Sequence, residues 1–173
     1  MCRGAFVSGV VLVFAAVGCG PPPARTTACR CHLRGLGTLA SFYAEEHGGN
    51  LPMAAGESPR AHVSLQVLVD AFPDACDGDM FVCPFSDETP AVPGSDGSFQ
   101  LTEKNVSYAW RARLFDLSKA SADTVIACDK RLHPGEKETV NVLFANCVVK
   151  RPSRADLGEG GLDGFIARNE LSK

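Results

Sequence analysis

Between Cys29 and Pro52 the chain reads CRCHLRGLGTLASFYAEEHGGNLP, and this stretch narrows the folds open to it more than any other. Leu33, Leu36, Ala40 and Tyr43 recur at three- and four-residue steps, which places them on one side of an α-helix, and Leu39 and Phe42 widen the stripe. Such a face must be buried against another element. Glu45, Glu46 and His47 close the last turn, Gly48-Gly49 offers the left-handed conformation that helix ends commonly need, and Leu51-Pro52 cannot continue the helix. Gly35 and Gly37 each cost a helix about 1 kcal/mol relative to alanine. Their presence predicts that a sheet approaches this helix closely.

The elements that follow are shorter. Met53 to Val63 is rich in Gly, Ser, Pro and Ala and reads as a surface loop; Ser64 then stands before Leu65, Val67, Leu68, Ala71 and Phe72, a short helix capped by Ser64 and ended by Pro73. Asp74 to Met80 is turn-like, Phe81-Val82-Cys83-Pro84 is a brief extended segment, and Ser86 to Gly97 is a loop. Val106 to Leu114 is a strand candidate. Asp123 to Cys128 and Val140 to Ala145 are β-rich runs that pair most simply as an antiparallel hairpin, with a third short strand over Cys147 to Val149. From Arg151 onward charged residues and glycines predict a flexible tail over 151–173 with one helical turn in Phe165 to Leu171. A helix first and an antiparallel sheet later is an α+β order.

The composition suits one such domain with short appendages: 173 residues, 45% hydrophobic, leave enough apolar material for a core. The formal net charge of −3 excludes a phosphate-neutralising surface, because clustered Lys and Arg are lacking. The charge becomes more negative still once the first segment is removed. There, Arg3 precedes the apolar run Ala5 to Val17, which is too short to span a bilayer, and Ala16-Val17-Gly18 places small residues before Cys19. That arrangement is an export signal, and Ala-Val-Gly-Cys resembles the lipobox of bacterial lipoproteins. The resemblance implies a signal over 1–18, a Cys19 thioether carrying acyl chains such as palmitate, and attachment to a cell membrane from the extracytoplasmic side. Residues 19–26, with Pro21-Pro22-Pro23, form an extended spacer, and the folded domain spans 27–150.

Taken together, Cys29, Leu33, Arg34, Leu36, Gly37, Tyr43, Gly49, Leu51 and Pro52 stand in the order found in prepilin-like proteins. Phe81-x-Cys83-Pro84, Ser107-Tyr108, Asn141 to Ala145 and Val149 follow in that order too. Over roughly residues 25–150 the chain resembles the group related to type II secretion pseudopilins, in particular the large family with a His-x-Asp-Gly type domain. The resemblance implies a pilin-like α+β fold with the helix packed on a small antiparallel sheet, and it makes His133 the counterpart of the family's histidine. Three departures stand out. His32 replaces an asparagine, a lipobox replaces the prepilin peptidase site and long hydrophobic helix that pack a filament, and Asn146-Cys147 replaces the Asp-Gly turn. Glycine tolerates positive φ there, and Cys147 does so only under strain.

Of the eight cysteines, Cys2 leaves with the signal and Cys19 is the lipidation site. Cys29, Cys31, Cys76, Cys83, Cys128 and Cys147 remain, in a compartment where disulfides persist. The resemblance pairs Cys29 with Cys83, the hairpin reading pairs Cys128 with Cys147, and Cys31 is then left with Cys76. Two chemical alternatives exist: a redox dithiol of Cys29 and Cys31 at a helix start, or a zinc-like set of Cys29, Cys31, His32, Cys76 and Cys83. Neither has the usual framework or spacing, so structural disulfides are the expectation, with no catalytic residue, metal or cofactor. Asp74, Asp77 and Asp79 lack the calcium-loop pattern and read as a solvated turn. His133, His47 and His62 read as loop, helix-end and surface residues, and Tyr108 and Trp110 as core. The expected protein is non-catalytic and lipid-anchored, structural or protein-binding, and accessory to a type II secretion or pilus-like assembly. Its expected partners are membrane lipid through Cys19 and envelope proteins.

Overall fold

Helix α1 (Arg25–Glu46) lies along one face of a four-stranded antiparallel sheet in the computed structural model, which describes residues 25–54, 60–113, 115–135 and 137–173. Cys29, Leu33, Leu36, Ala40 and Ala44 form its buried seam, each at most 3% exposed. This is the periodicity expected, with Ala44 extending the seam and Phe42 turned outward at 46% exposure. The helix stops where the glycines predict: Gly48 and Gly49 take φ of 64° and 88°, and the Gly49 N–H closes on the Ala44 carbonyl at 2.7 Å.

Helix α2 (Ala61–Ala71) starts earlier than Ser64 suggested, with Arg60 at the cap position. Ser64 lies inside the helix, fully buried, and its hydroxyl accepts the Ala54 N–H at 3.3 Å. It ties the preceding chain to the helix instead of capping it. A short 3-10 turn over Gly78–Phe81 is capped by Asp77, whose carboxylate accepts the Met80 N–H. The acidic run is therefore a turn with a structural duty.

The sheet runs in sequence order, β1 (Tyr108–Trp110), β2 (Val125–Asp129), β3 (Val142–Phe144) and β4 (Val149–Lys150). The β2–β3 hairpin is the one expected, but Ile126 is an extra residue between the pairs Val125–Phe144 and Ala127–Leu143, which makes a bulge. Tyr108, Trp110 and Leu143 face α1 and α2, while Ala109, Val125, Cys128, Val140 and Val142 face the other way.

That second face corrects the expectation of a tail. Residues after Arg151 form a 3-10 turn over Arg154–Leu157 and helix α3 (Gly161–Arg168), and they bury Leu157, Ile166 and Leu171 against the sheet. Ser172 then exchanges two backbone hydrogen bonds with Trp110 and covers the free edge of β1. The fold is α+β, three helices on two sides of one antiparallel sheet. Among the described residues no helix is long and apolar enough to cross a membrane. The signal over 1–18, the lipidation residue Cys19 and the spacer up to residue 24 lie outside the described residues, while residues 25 and 26, expected to be spacer, already belong to α1.

Candidate metal centre

Cys29 stands on the first turns of α1, on the face turned to the sheet, where it meets the end of β2. The ladder pairs Asp129 with Tyr108, so both project toward α1. Asp129 Oδ1 lies 2.9 Å from Cys29 Sγ, and Tyr108 Oη lies 3.7 Å from it. Four residues further on, the connection between β2 and β3 turns back through a bridge in which His133 N–H donates to Thr139 O at 2.6 Å. This bridge brings His133 Nε2 to 3.0 Å from Asp129 Oδ2. Cys83 arrives from the opposite side. Its segment is held by Ser107 N–H on Phe81 O and by Ser86, whose N–H and hydroxyl both donate to Cys83 O, and its Sγ sits 3.2 Å from His133 Nε2.

The donor atoms of Cys29, Cys83, Asp129 and His133 all lie within 4.8 Å of one another. The four residues are 0%, 3%, 1% and 1% exposed. The cavity beside them holds about 10 Å³, room for one water at most. Asn141 N–H fixes Asp129 Oδ2 at 2.6 Å, and the Phe85 ring packs on the His133 imidazole with centroids 4.6 Å apart.

Charge is distributed unevenly in this pocket. Hydrogen bonding to Cys83, burial and the Asp129 charge push the Cys29 thiol far above the usual range. Cys83 moves down to about 6, because it accepts from Cys29 and, against burial, from His133. Burial opposes a charged His133, yet Asp129 and Cys83 outweigh it and raise the imidazole to about 9. The Tyr108 phenol is pushed well up by burial and by Cys29 and Asp129.

A cysteine, a histidine and an aspartate together invite comparison with a nucleophilic triad. Such a triad places the thiol on one imidazole nitrogen and the carboxylate on the other. Here Cys83, Asp129 and, at 3.9 Å, Cys29 all converge on Nε2, and Nδ1 has no partner among the described residues. That is not the geometry of a triad; four donor atoms clustered in a buried pocket could hold an ion, and the same proximity of Cys29 to Cys83 also suits a disulfide.

Of the pairings expected, only Cys29 with Cys83 is brought together. Cys128 is buried on the α3 side of the sheet, whereas Cys147 sits in the β3–β4 turn, 3.4 Å from Ser41 of α1. Cys31 is exposed among Thr27, Arg30 and Arg34, and Cys76 is buried against the Leu68 carbonyl. All six of these cysteines are free thiols in the structure. The redox pair Cys29 and Cys31 is not assembled, since residues two apart leave a helix on different sides. Nor is the zinc-like set: His32 Nδ1 is 3.0 Å from the Val82 carbonyl, outside the cluster. Asp129 and His133 are the members that sequence reasoning missed. The available signal was an aspartate closing the otherwise apolar run VIAC, with a histidine four residues later.

No family model, curated protein or solved structure matches this chain.

Proposed function

We propose that this protein is a non-catalytic, lipid-anchored component of a bacterial cell envelope. Its pilin-like domain is a structural or protein-binding module accessory to a type II secretion or pilus-like assembly. The observation that carries the reading is the closure of its one cluster of reactive side chains among the described residues. Cys29, Cys83, Asp129 and His133 lie at the seam between α1 and the sheet, beside a cavity too small for a substrate. Side chains placed there brace two layers and meet nothing from outside.

Two further features support it. Apart from Phe42, the apolar stripe of α1 faces the domain's own core, so residues 25–46 offer no long seam for packing a filament. The lipobox-like Ala16 to Cys19 and the proline spacer supply an anchor in place of a membrane-crossing helix. The test is fractionation of cells making the full chain and its Cys19→Ala variant. The reading expects the first in the detergent-extracted membrane fraction with acyl mass on Cys19, and the second unlipidated and released from membranes. Unlipidated wild-type protein in the soluble fraction would refute the anchor.

A further inference from the structure

We infer that Cys29, Cys83, Asp129 and His133 form a closed tetrahedral zinc site that pins α1 to the sheet. This rests on the reading of the cluster as structural and goes beyond it by naming the ligand.

Geometry gives the first argument. Zinc binds sulfur at about 2.3 Å and nitrogen or oxygen at about 2.0–2.2 Å, so a tetrahedral site has ligand-to-ligand edges of about 3.3–3.8 Å. The edges here are 2.9 Å from Cys29 Sγ to Asp129 Oδ1, 3.2 Å from Cys83 Sγ to His133 Nε2, and 3.9 Å from Cys29 Sγ to His133 Nε2. The other Asp129 oxygen, Oδ2, lies 3.0 Å from His133 Nε2, so whichever oxygen serves as ligand already stands beside one partner, and with one donor atom per residue no pair exceeds 4.8 Å. The longest of these separations exceeds a tetrahedral edge by about 1 Å.

The donor set gives the second. Two thiolates, an imidazole and a carboxylate are all accepted by zinc, whereas copper(I) favours a purely soft set and magnesium or calcium an all-oxygen one. Bound as two thiolates and a carboxylate, the donors carry three negative charges, most of which a dication offsets inside the pocket. Part of an outer shell surrounds the donors, although His133 Nδ1 has no partner among the described residues. Asn141 N–H orients the carboxylate, Tyr108 Oη lies beside the Cys29 sulfur, and Phe85 walls the imidazole. Four protein donors leave no open position, as in structural zinc sites.

The site also explains why its parts come from distant segments. Cys29 and Asp129 are 100 residues apart, and Cys83 and His133 are 50 apart. One ion would join α1, the segment before β1, the end of β2 and the following loop.

The experiment uses the full chain, extracted from membranes after synthesis with its own signal. Metal content per chain, the intact mass under non-reducing conditions, and the visible spectrum after exchange with cobalt(II) are measured. The expected results are one zinc per chain, no two-hydrogen deficit, and the intense tetrahedral bands of a thiolate-bound cobalt. Chelator with reductant should abolish the cobalt bands and added cobalt restore them, which requires no variant to fold. Cys31→Ser, at an exposed position, should leave the metal content unchanged, and Cys83→Ser should lose the metal. A folded, metal-free protein two hydrogens light, with Cys29 and Cys83 cross-linked, would overturn the proposal. So would a metal-free protein whose free thiols take up no cobalt. Acyl mass on Cys19, read in the same spectrum, bears on the anchor alone, and cobalt bands that shift on adding azide would keep the metal but refute the closed, non-catalytic reading.

Discussion

Cys147 adopts φ of 61°, a left-handed conformation that a residue with a Cβ enters at a cost of about 1 kcal/mol or more. It holds the tight turn between β3 and β4, where its N–H reaches the Phe144 carbonyl at 2.9 Å. The strain was legible from the sequence, because Asn-Cys stands where a turn of this type favours glycine. Cys147→Gly should therefore stabilise the domain by about 1 kcal/mol in denaturant unfolding, despite losing the contact with Ser41. A second residue-level prediction concerns Asp116, which ties the end of α1 to the loop after β1. The Lys119 ammonium and the Ser118 hydroxyl pull its carboxyl down to about 2. A depressed carboxyl stabilises the fold at pH values above its ordinary range near ~4 and stops doing so as pH falls through about 2. Thermal unfolding of the wild type and Asp116→Asn should differ at neutral pH and converge below about pH 2. What sequence could not show at this scale was the partnership of His133 with Cys83 and Cys29, since nothing local marks contacts made across 50 and 104 residues; Asp129, four residues away, is the one partner with a local signal.

Helix α1 was the most legible element, because its seam from Cys29 to Ala44 repeats with the helical period and leaves little choice of face. Its two glycines separate on inspection. A Cβ on Gly37 would stand 2.9 Å from Leu143 Cδ1 of β3, whereas one on Gly35 would stand 3.4 Å from the flexible end of Met80. The sheet approach predicted from both glycines thus belongs to Gly37. Gly35→Ala should raise stability by up to about 1 kcal/mol through helix propensity. Gly37→Ala should lower it by about 1 kcal/mol or more, as the fully buried Leu143 is displaced. Equal and positive shifts for both in urea titrations would contradict the close packing of α1 on β3. Helix α3 was hidden for the opposite reason: it is eight residues long, begins among glycines, and carries only Ile166 as a fully buried apolar residue.

At the scale of the whole molecule, the sheet is covered on both faces, by α1 and α2 on one side and by the C-terminal segment on the other. The α+β order followed from the arrangement of runs along the chain. The second layer did not, because Leu157, Ile166 and Leu171 are spread through a charged, glycine-rich stretch with no sustained period. Ile166→Ala should cost about 2–4 kcal/mol in equilibrium unfolding, where a tail residue would change stability by less than about 0.5 kcal/mol. The structural role of the four-residue cluster depends on its being sealed inside this three-layer body, where it holds the layers together. Thiol labelling of the native protein under reducing conditions, followed residue by residue, tests that claim most directly. Exposed Cys31 should react first, and Cys29 and Cys83 only at the rate at which the domain unfolds. Labelling of Cys83 in the folded protein as fast as Cys31 would mean an accessible, reactive site, and would contradict the structural role assigned to it.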